Sequence, residues 1–138
     1  MKRKVKIGID LGGSHVGVGV VDTKGNIIEI HEKDFTVEEK LRLIDVAIEY
    51  IVEIINELKK KYSFSKIGIG VPGTIQDGVI LKSVNLNLEK YDIKSVLKEK
   101  TNLDIIVQND AKCAAWAEYK YGIGKNYNNI IFLTLGTG

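Results

Sequence analysis

Apolar and polar residues change their repeat several times along the chain, and each change marks an element. Over residues 4–10, Val5, Ile7 and Ile9 alternate with Lys4, Lys6 and Gly8, the period of two of a strand with one buried face. After a Gly12-Gly13-Ser14 turn, Val16, Val18 and Val20 alternate with Gly17 and Gly19 up to the turn Asp22-Thr23-Lys24-Gly25, and Ile27, Ile28 and Ile30 open a third strand. Three consecutive antiparallel strands are expected. Because Gly17 and Gly19 lack side chains, the sheet face that carries them is expected to admit another backbone, a helix or a ligand.

Over residues 37–62 the repeat lengthens, with Leu41, Ile44, Ile48, Ile51, Ile55 and Leu58 stepping by three or four. This predicts a long amphipathic helix, acidic at its start and basic at its end, as the helix dipole favours. Residues 66–71 read as a strand stopped by Pro72-Gly73, with a short hairpin about Asp77-Gly78 after it. Residues 85–91 read as a loop, 93–100 as a short helix, 104–108 as a strand, 111–121 as a helix and 128–135 as a last strand, with a hinge-like stretch at 120–129. An antiparallel opening followed by alternating helices and strands predicts an α/β fold, a mixed sheet with helices on both faces.

Composition narrows the function classes. The 138 residues are 44% hydrophobic and 28% charged, the make-up of one soluble globular domain. A chain of this length buries roughly 68% of its unfolded surface, enough for a single core. Lys+Arg 20 against Asp+Glu 18 gives a net charge of +2, without the clustered basic excess of a nucleic-acid surface. Cys113 is the only cysteine, so neither an intrachain disulfide nor a cysteine-cluster zinc site is expected. No run approaches the roughly 18 apolar residues of a membrane span, and the basic N-terminus passes straight into strand alternation, so no membrane partner and a cytoplasmic location are expected.

Three places carry candidate chemistry. Asp10-Leu11-Gly12-Gly13-Ser14 lies between two strands, so it is neither a dinucleotide fingerprint nor a Walker loop. Its glycines still allow successive N–H groups to converge on an anion, Ser14 adds a hydroxyl, and Asp10 offers a carboxylate to a hydrated cation, the parts of a phosphate and Mg²⁺ site. A plain hairpin turn is the competing reading. Asn109-Asp110 falls where a strand ends and a helix begins, a place for an N-cap and also the place where open sheets bind ligands. A carboxylate there is suited to orienting a substrate hydroxyl and accepting its proton. Leu135-Gly136-Thr137-Gly138 runs from an apolar strand into small and hydroxyl residues, as a frayed tail or the start of a second phosphate hairpin. Pro72-Gly73-Thr74 reads first as a turn. Cys113 reads as a small buried apolar residue, Glu118 as a hydrogen-bonding group, and His15 and His31 as solvated or hydrogen-bonded rather than as metal ligands.

Taken together, Ile7-Gly8-Ile9-Asp10-Leu11-Gly12-Gly13-Ser14, Ile67-Gly68-Ile69-Gly70-Val71-Pro72-Gly73 with Asp77-Gly78 and Ser83-Val84-Asn85-Leu86, Gln108-Asn109-Asp110-Ala111 with Ala114, Ala115 and Glu118, and Thr134-Leu135-Gly136-Thr137-Gly138 resemble the ROK family of sugar kinases and repressors, within the actin-like ATPase superfamily. The order of the four segments makes the resemblance specific. It implies a ribonuclease H-like lobe, ATP and Mg²⁺ as cofactors and a hexose as substrate, with glucose as the first expectation. It further implies Asp110 as the general base, Gly73, Thr74, Asn85, Asn109 and Asp110 around the sugar, Asp10 toward Mg²⁺, and Gly12, Gly13, Ser14, Gly136, Thr137 and Gly138 around the phosphates. Ser14 stands where Thr is commoner, Val84 for a frequent Pro and Tyr91 for a frequent Trp.

Family members are longer and have two lobes. By the resemblance, residues 1–123 form an N-terminal lobe and 124–138 a hinge and the first strand of a second, whose later Glu and His sugar ligands, zinc motif and adenosine pocket are not in this sequence. An apolar strand without its sheet is expected to seek a partner, so self-association into a homo-oligomer is expected. The alternatives are a non-catalytic sugar-binding or inactive lobe and a sugar-responsive repressor. With a strand beginning by Lys4, no room for a DNA-binding domain is expected ahead of it.

Overall fold

The computed structural model describes residues 1–135, and the expected α/β architecture is present. In chain order the strands are β1 (Arg3–Lys4), β2 (Lys6–Leu11), β3 (His15–Val21), β4 (Ile27–Asp34), β5 (Tyr62–Ser63), β6 (Lys66–Val71), β7 (Thr74–Gln76), β8 (Val79–Ser83), β9 (Leu88–Tyr91) and β10 (Asp104–Asn109). The helices are α1 (Leu43–Lys61), α2 (Ile93–Thr101) and α3 (Asp110–Tyr121). A five-stranded sheet runs β10-β6-β2-β3-β4, antiparallel at β2-β3-β4 and parallel at β2-β6 and β6-β10. β7-β8-β9 make a small antiparallel sheet, and β1 pairs with β5.

Period-two patterning decides which sheet face is core. Ile7, Ile9, Leu11, Val16, Val18, Val20, Ile67, Ile69, Val71 and Ile105 are buried on one face, beneath α1 and α2, which also pack on each other. Gly8, Gly17, Gly19, Gly68 and Gly70 alternate with them and point to the other face. That face is more open than the glycines alone led us to expect. A methyl group added at Gly8 would meet nothing within 4 Å, and one at Gly19 only the Gly8 carbonyl at 3.8 Å. The close approach occurs instead at Gly70, under α3.

The long helix begins later than the hydrophobic repeat suggests. Thr36 and Glu39 bond each other's N–H groups reciprocally, at 3.0 and 3.2 Å, a capping box that opens a 3-10 turn over Glu39–Arg42 before α1 starts at Leu43. Leu41 is consequently exposed, while Leu43, Val46 and Ala47 join Ile48, Ile51, Ile55 and Leu58 in the buried stripe. Glu29 ties β4 to the far end of α1. Its carboxylate accepts from the Tyr62 hydroxyl at 2.7 Å and Lys61 Nζ at 3.0 Å, and lies 2.7 Å from His31 Nε2.

Two other expectations are corrected. Residues 88–91 are the strand β9, paired with β8, and not loop; Lys90 at φ 51° breaks the alternation that would have marked it. Residues 128–135 form no strand; among the described residues they pair with no other strand. α3 lies on the glycine face but buries none of its residues, leaving Trp116 and Tyr121 exposed. No helix of the described residues is long and apolar enough to cross a membrane.

The three bonds to Glu29, from Tyr62, Lys61 and His31 in that order, lower its pKa from 4.5 to about 2. Its contribution to stability is therefore full above 4.5 and is lost as the pH falls through about 2, since the unfolded chain takes up the proton first. Glu29→Gln is expected to cost about 1 kcal/mol at neutral pH in urea titrations, with the gap to wild type closing as the pH is lowered through that window. Ile131, Leu133 and Leu135, 92%, 82% and 100% exposed, are expected to drive self-association of this chain; a monodisperse monomer by size exclusion with light scattering would contradict that.

Candidate functional site

The candidate residues converge because three parallel strands stop together. Asp10 faces Gly70 across β2 and β6, Gly70 faces Gln108 across β6 and β10, and Asn109 pairs with Val71 on the last rung. Beyond that rung the chain leaves each strand as Gly12-Gly13, Pro72-Gly73 and Asp110. In open α/β sheets this carboxyl edge is where ligands bind.

Asn109 and Asp110 divide the roles that the sequence left open. Asn109 is the N-cap of α3, its Oδ1 accepting from the Lys112 N–H at 3.2 Å. Its Nδ2 donates to the Gly73 carbonyl at 3.0 Å, and its own N–H donates to Gln108 Oε1 at 2.9 Å. Asp110 is the first residue of the helix, half-buried, with Oδ1 accepting from the Ala111 N–H at 2.8 Å. The cap is thus supplied by Asn109, and Asp110 stands in the first turn of the helix.

Asp10 is exposed at the end of β2. It shares a neighbourhood with Asp110 through Cys113, whose thiol pKa is raised by partial desolvation first, and then by the charges of Asp110 and Asp10. Cys113 is exposed, contrary to the expectation of a buried residue, because α3 stands clear of the core. Gly70 lies beneath it: a methyl group there would make ordinary contact, at 3.4 Å, with both Cys113 Sγ and the Asp110 Cα. Glu118 is hydrogen-bonded, accepting the Ile123 N–H at 3.2 Å where α3 ends.

The Gly12 N–H donates to the His15 carbonyl at 2.9 Å and the Ser14 carbonyl accepts the Phe35 N–H at 2.9 Å, which pins the β2–β3 turn from both sides. The Gly12 donor is therefore occupied within the protein, and the anion reading of this turn rests on Gly13 and Ser14. Thr74 begins β7 and is exposed, and Asn85 is exposed in the β8–β9 turn. Gly136, Thr137 and Gly138 lie outside the described residues.

Ser83, to which the sequence assigned no role, and Gly73, a candidate from the sequence, support the rest. Ser83 is buried, and its Oγ accepts from the Leu86 N–H at 3.3 Å, shaping the turn that presents Asn85. Gly73, at φ 111°, abuts the Lys82 carbonyl and has Ser83 3.0 Å from where its side chain would start. A serine beginning a short polar turn could have flagged Ser83; for Gly73 the fold adds the close seat against Lys82 and Ser83.

Comparison with known proteins assigns the chain to a family. A model of the ROK family matches residues 6–138. The chain belongs to the ROK family. It is 31% identical over 134 residues to a glucokinase of Streptomyces coelicolor, an alignment covering 96% of this chain and 41% of that protein. It is 30% identical over 139 residues to a xylose repressor of Bacillus subtilis, covering 99% of this chain and 36% of the repressor. Among solved structures, the ROK glucokinase of Streptomyces griseus in complex with glucose and AMPPNP superposes with a TM-score of 0.73 at 27% identity, covering 87% of this chain and 38% of the other. The chain therefore spans about two fifths of the length of these ROK relatives.

Gly73→Ala is expected to cost about 2 kcal/mol, since it combines a disfavoured φ with a backbone clash. Gly8→Ala, facing open space, is expected to change stability by less than about 0.5 kcal/mol. Equal thermal unfolding midpoints for the two variants would contradict the tight seat assigned to Gly73.

Proposed function

We propose that the protein of which this chain forms part is an ATP-dependent hexose kinase, with residues 1–123 as its N-terminal lobe and 124–138 leading into the second lobe. The observation that carries the reading is the convergence of Asp10, Gly13, Ser14, Gly73, Asn109 and Asp110 at one edge of three parallel strands. The glucose and AMPPNP held by the Streptomyces griseus relative support the substrate class.

Asp110 is the general base. One of its oxygens is steadied by the Ala111 N–H, so the carboxylate is held in one orientation with its remaining oxygen free to accept the sugar hydroxyl proton. Asn109 keeps one amide hydrogen after bonding Gly73, and together with Gly73, Thr74 and Asn85 it lines the sugar side. The exposed Asp10 carboxylate and the Gly13 and Ser14 turn suit Mg²⁺ and the ATP phosphates, and the family resemblance adds Gly136, Thr137 and Gly138 to the phosphate-binding residues; when bound, these groups would supply the phosphoryl group and neutralise its charge. Positioning and charge neutralisation then account for the catalysis.

A sugar-responsive repressor is the second reading, favoured by the similarity to the xylose repressor. Turnover separates the two. In the full-length protein, Asp110→Asn is expected to lower kcat by about 10²–10⁴ while leaving sugar affinity nearly intact. ADP release with Mg²⁺, ATP and a panel of hexoses measures it. Unchanged turnover in the variant would remove Asp110 as the base, and sugar binding without any turnover in the wild type would favour the repressor.

A further inference from the structure

The second glycine of the β2–β3 turn has a steric partner that is not a nucleotide. A side chain begun at Gly13 would lie 2.6 Å from the Asn85 carbonyl oxygen and 3.4 Å from its carbon, a separation that real Cβ atoms essentially never show. Gly12, its neighbour, would meet only the His15 carbonyl at an ordinary 3.6 Å. The requirement for glycine therefore falls on Gly13 and is set by the backbone of the β8–β9 turn.

That turn is gripped on its other side too. Gly73 lies against Lys82 and Ser83, and its carbonyl accepts from Asn109 Nδ2. The Ser83 hydroxyl and the Asn87 N–H to Val84 carbonyl bond, at 3.1 Å, hold the turn's internal shape. A continuous line of contacts runs from Asn109 through Gly73, Ser83 and Asn85 to Gly13, and at both glycines no side chain stands between the backbones.

We infer that residues 83–85 act as a strut between the start of α3 and the β2–β3 turn, and that Gly13 is glycine to seat this strut. Resting on the kinase reading above, the strut makes the sugar side and the phosphate side one mechanical unit. A hexose that orders Asn85 also orders the turn at Gly13, so each substrate strengthens the binding of the other; such coupling is reciprocal. Gly13 and Ser83 are positioning residues in this scheme.

Amide hydrogen exchange on this chain tests the strut without any substrate. Gly13→Ala is expected to speed exchange at the Leu86 and Asn87 amides about tenfold, while Gly12→Ala leaves both within about twofold of wild type. In the reverse direction, Ser83→Ala is expected to speed exchange at the Gly12 amide, on the far side of the contact. Wild-type protection across the contact in either Gly13→Ala or Ser83→Ala overturns the inference. If Gly13→Ala exchanges everywhere, as an unfolded chain would, Ser83→Ala alone decides. Glucose added to the full-length wild-type protein separates this from the kinase reading. Protection gained at Leu86 and Asn87 together with Gly12 is expected, whereas protection at Leu86 and Asn87 alone overturns the coupling. No change at any of these amides counts against the sugar reading, and the strut then stands or falls with the exchange rates of the two variants.

Discussion

The in-register parallel pairing of β2, β6 and β10 is the constraint on which the rest depends. It places Asp10, Gly70 and Gln108 on one rung, so the turns that leave these strands emerge side by side at the carboxyl edge. The pairing is secured from the opposite face, where α1 and α2 cover the continuous band of Ile, Val and Leu side chains. A slip of one residue in β6 would turn Ile67, Ile69 and Val71 outward and move Gly73 away from Asn109, so the register that buries the core also assembles the site.

The second theme is backbone meeting backbone. Gly73 lets the chain turn with positive φ against Ser83, and Gly13 lets the β8–β9 turn press on the β2–β3 turn. Contacts of this kind tolerate little adjustment, because a carbonyl group held in a turn cannot change rotamer as a side chain can. They give a small, largely exposed site a defined geometry although few of its residues are buried. The carboxylates remain beside solvent, which suits a site that must exchange charged ligands.

The glycine face and the segment after α3 have a different character. α3 crosses the sheet without burying a residue, and its aromatic side chains, with residues 130–135, present apolar surface to solvent. The chain covers 41% of the glucokinase relative's length, and this surface lies next to the place where its described part ends. Charge does little to shape this part; the ordered electrostatics lie at the other edge, where Glu29 gathers Tyr62, Lys61 and His31.

The sequence by itself determined the α/β class, the three antiparallel strands and most of the order of helices and strands, because period-two and period-3.6 burial and the turn preferences of Gly, Pro, Asn and Asp are local properties. Asp77-Gly78 is an example: both residues take positive φ in a two-residue turn, as the dipeptide implied. Local patterning failed at β9, where Lys90 breaks alternation, and at residues 128–135, whose apolar repeat pairs with no strand among the described residues. Only the tertiary structure decided that Asn109 takes the cap and leaves Asp110 free, that Gly12 spends its donor on His15, and that Gly13 is pressed by Asn85. These outcomes depend on which backbone atoms are brought together across tens of residues, and no local repeat encodes the partner's identity.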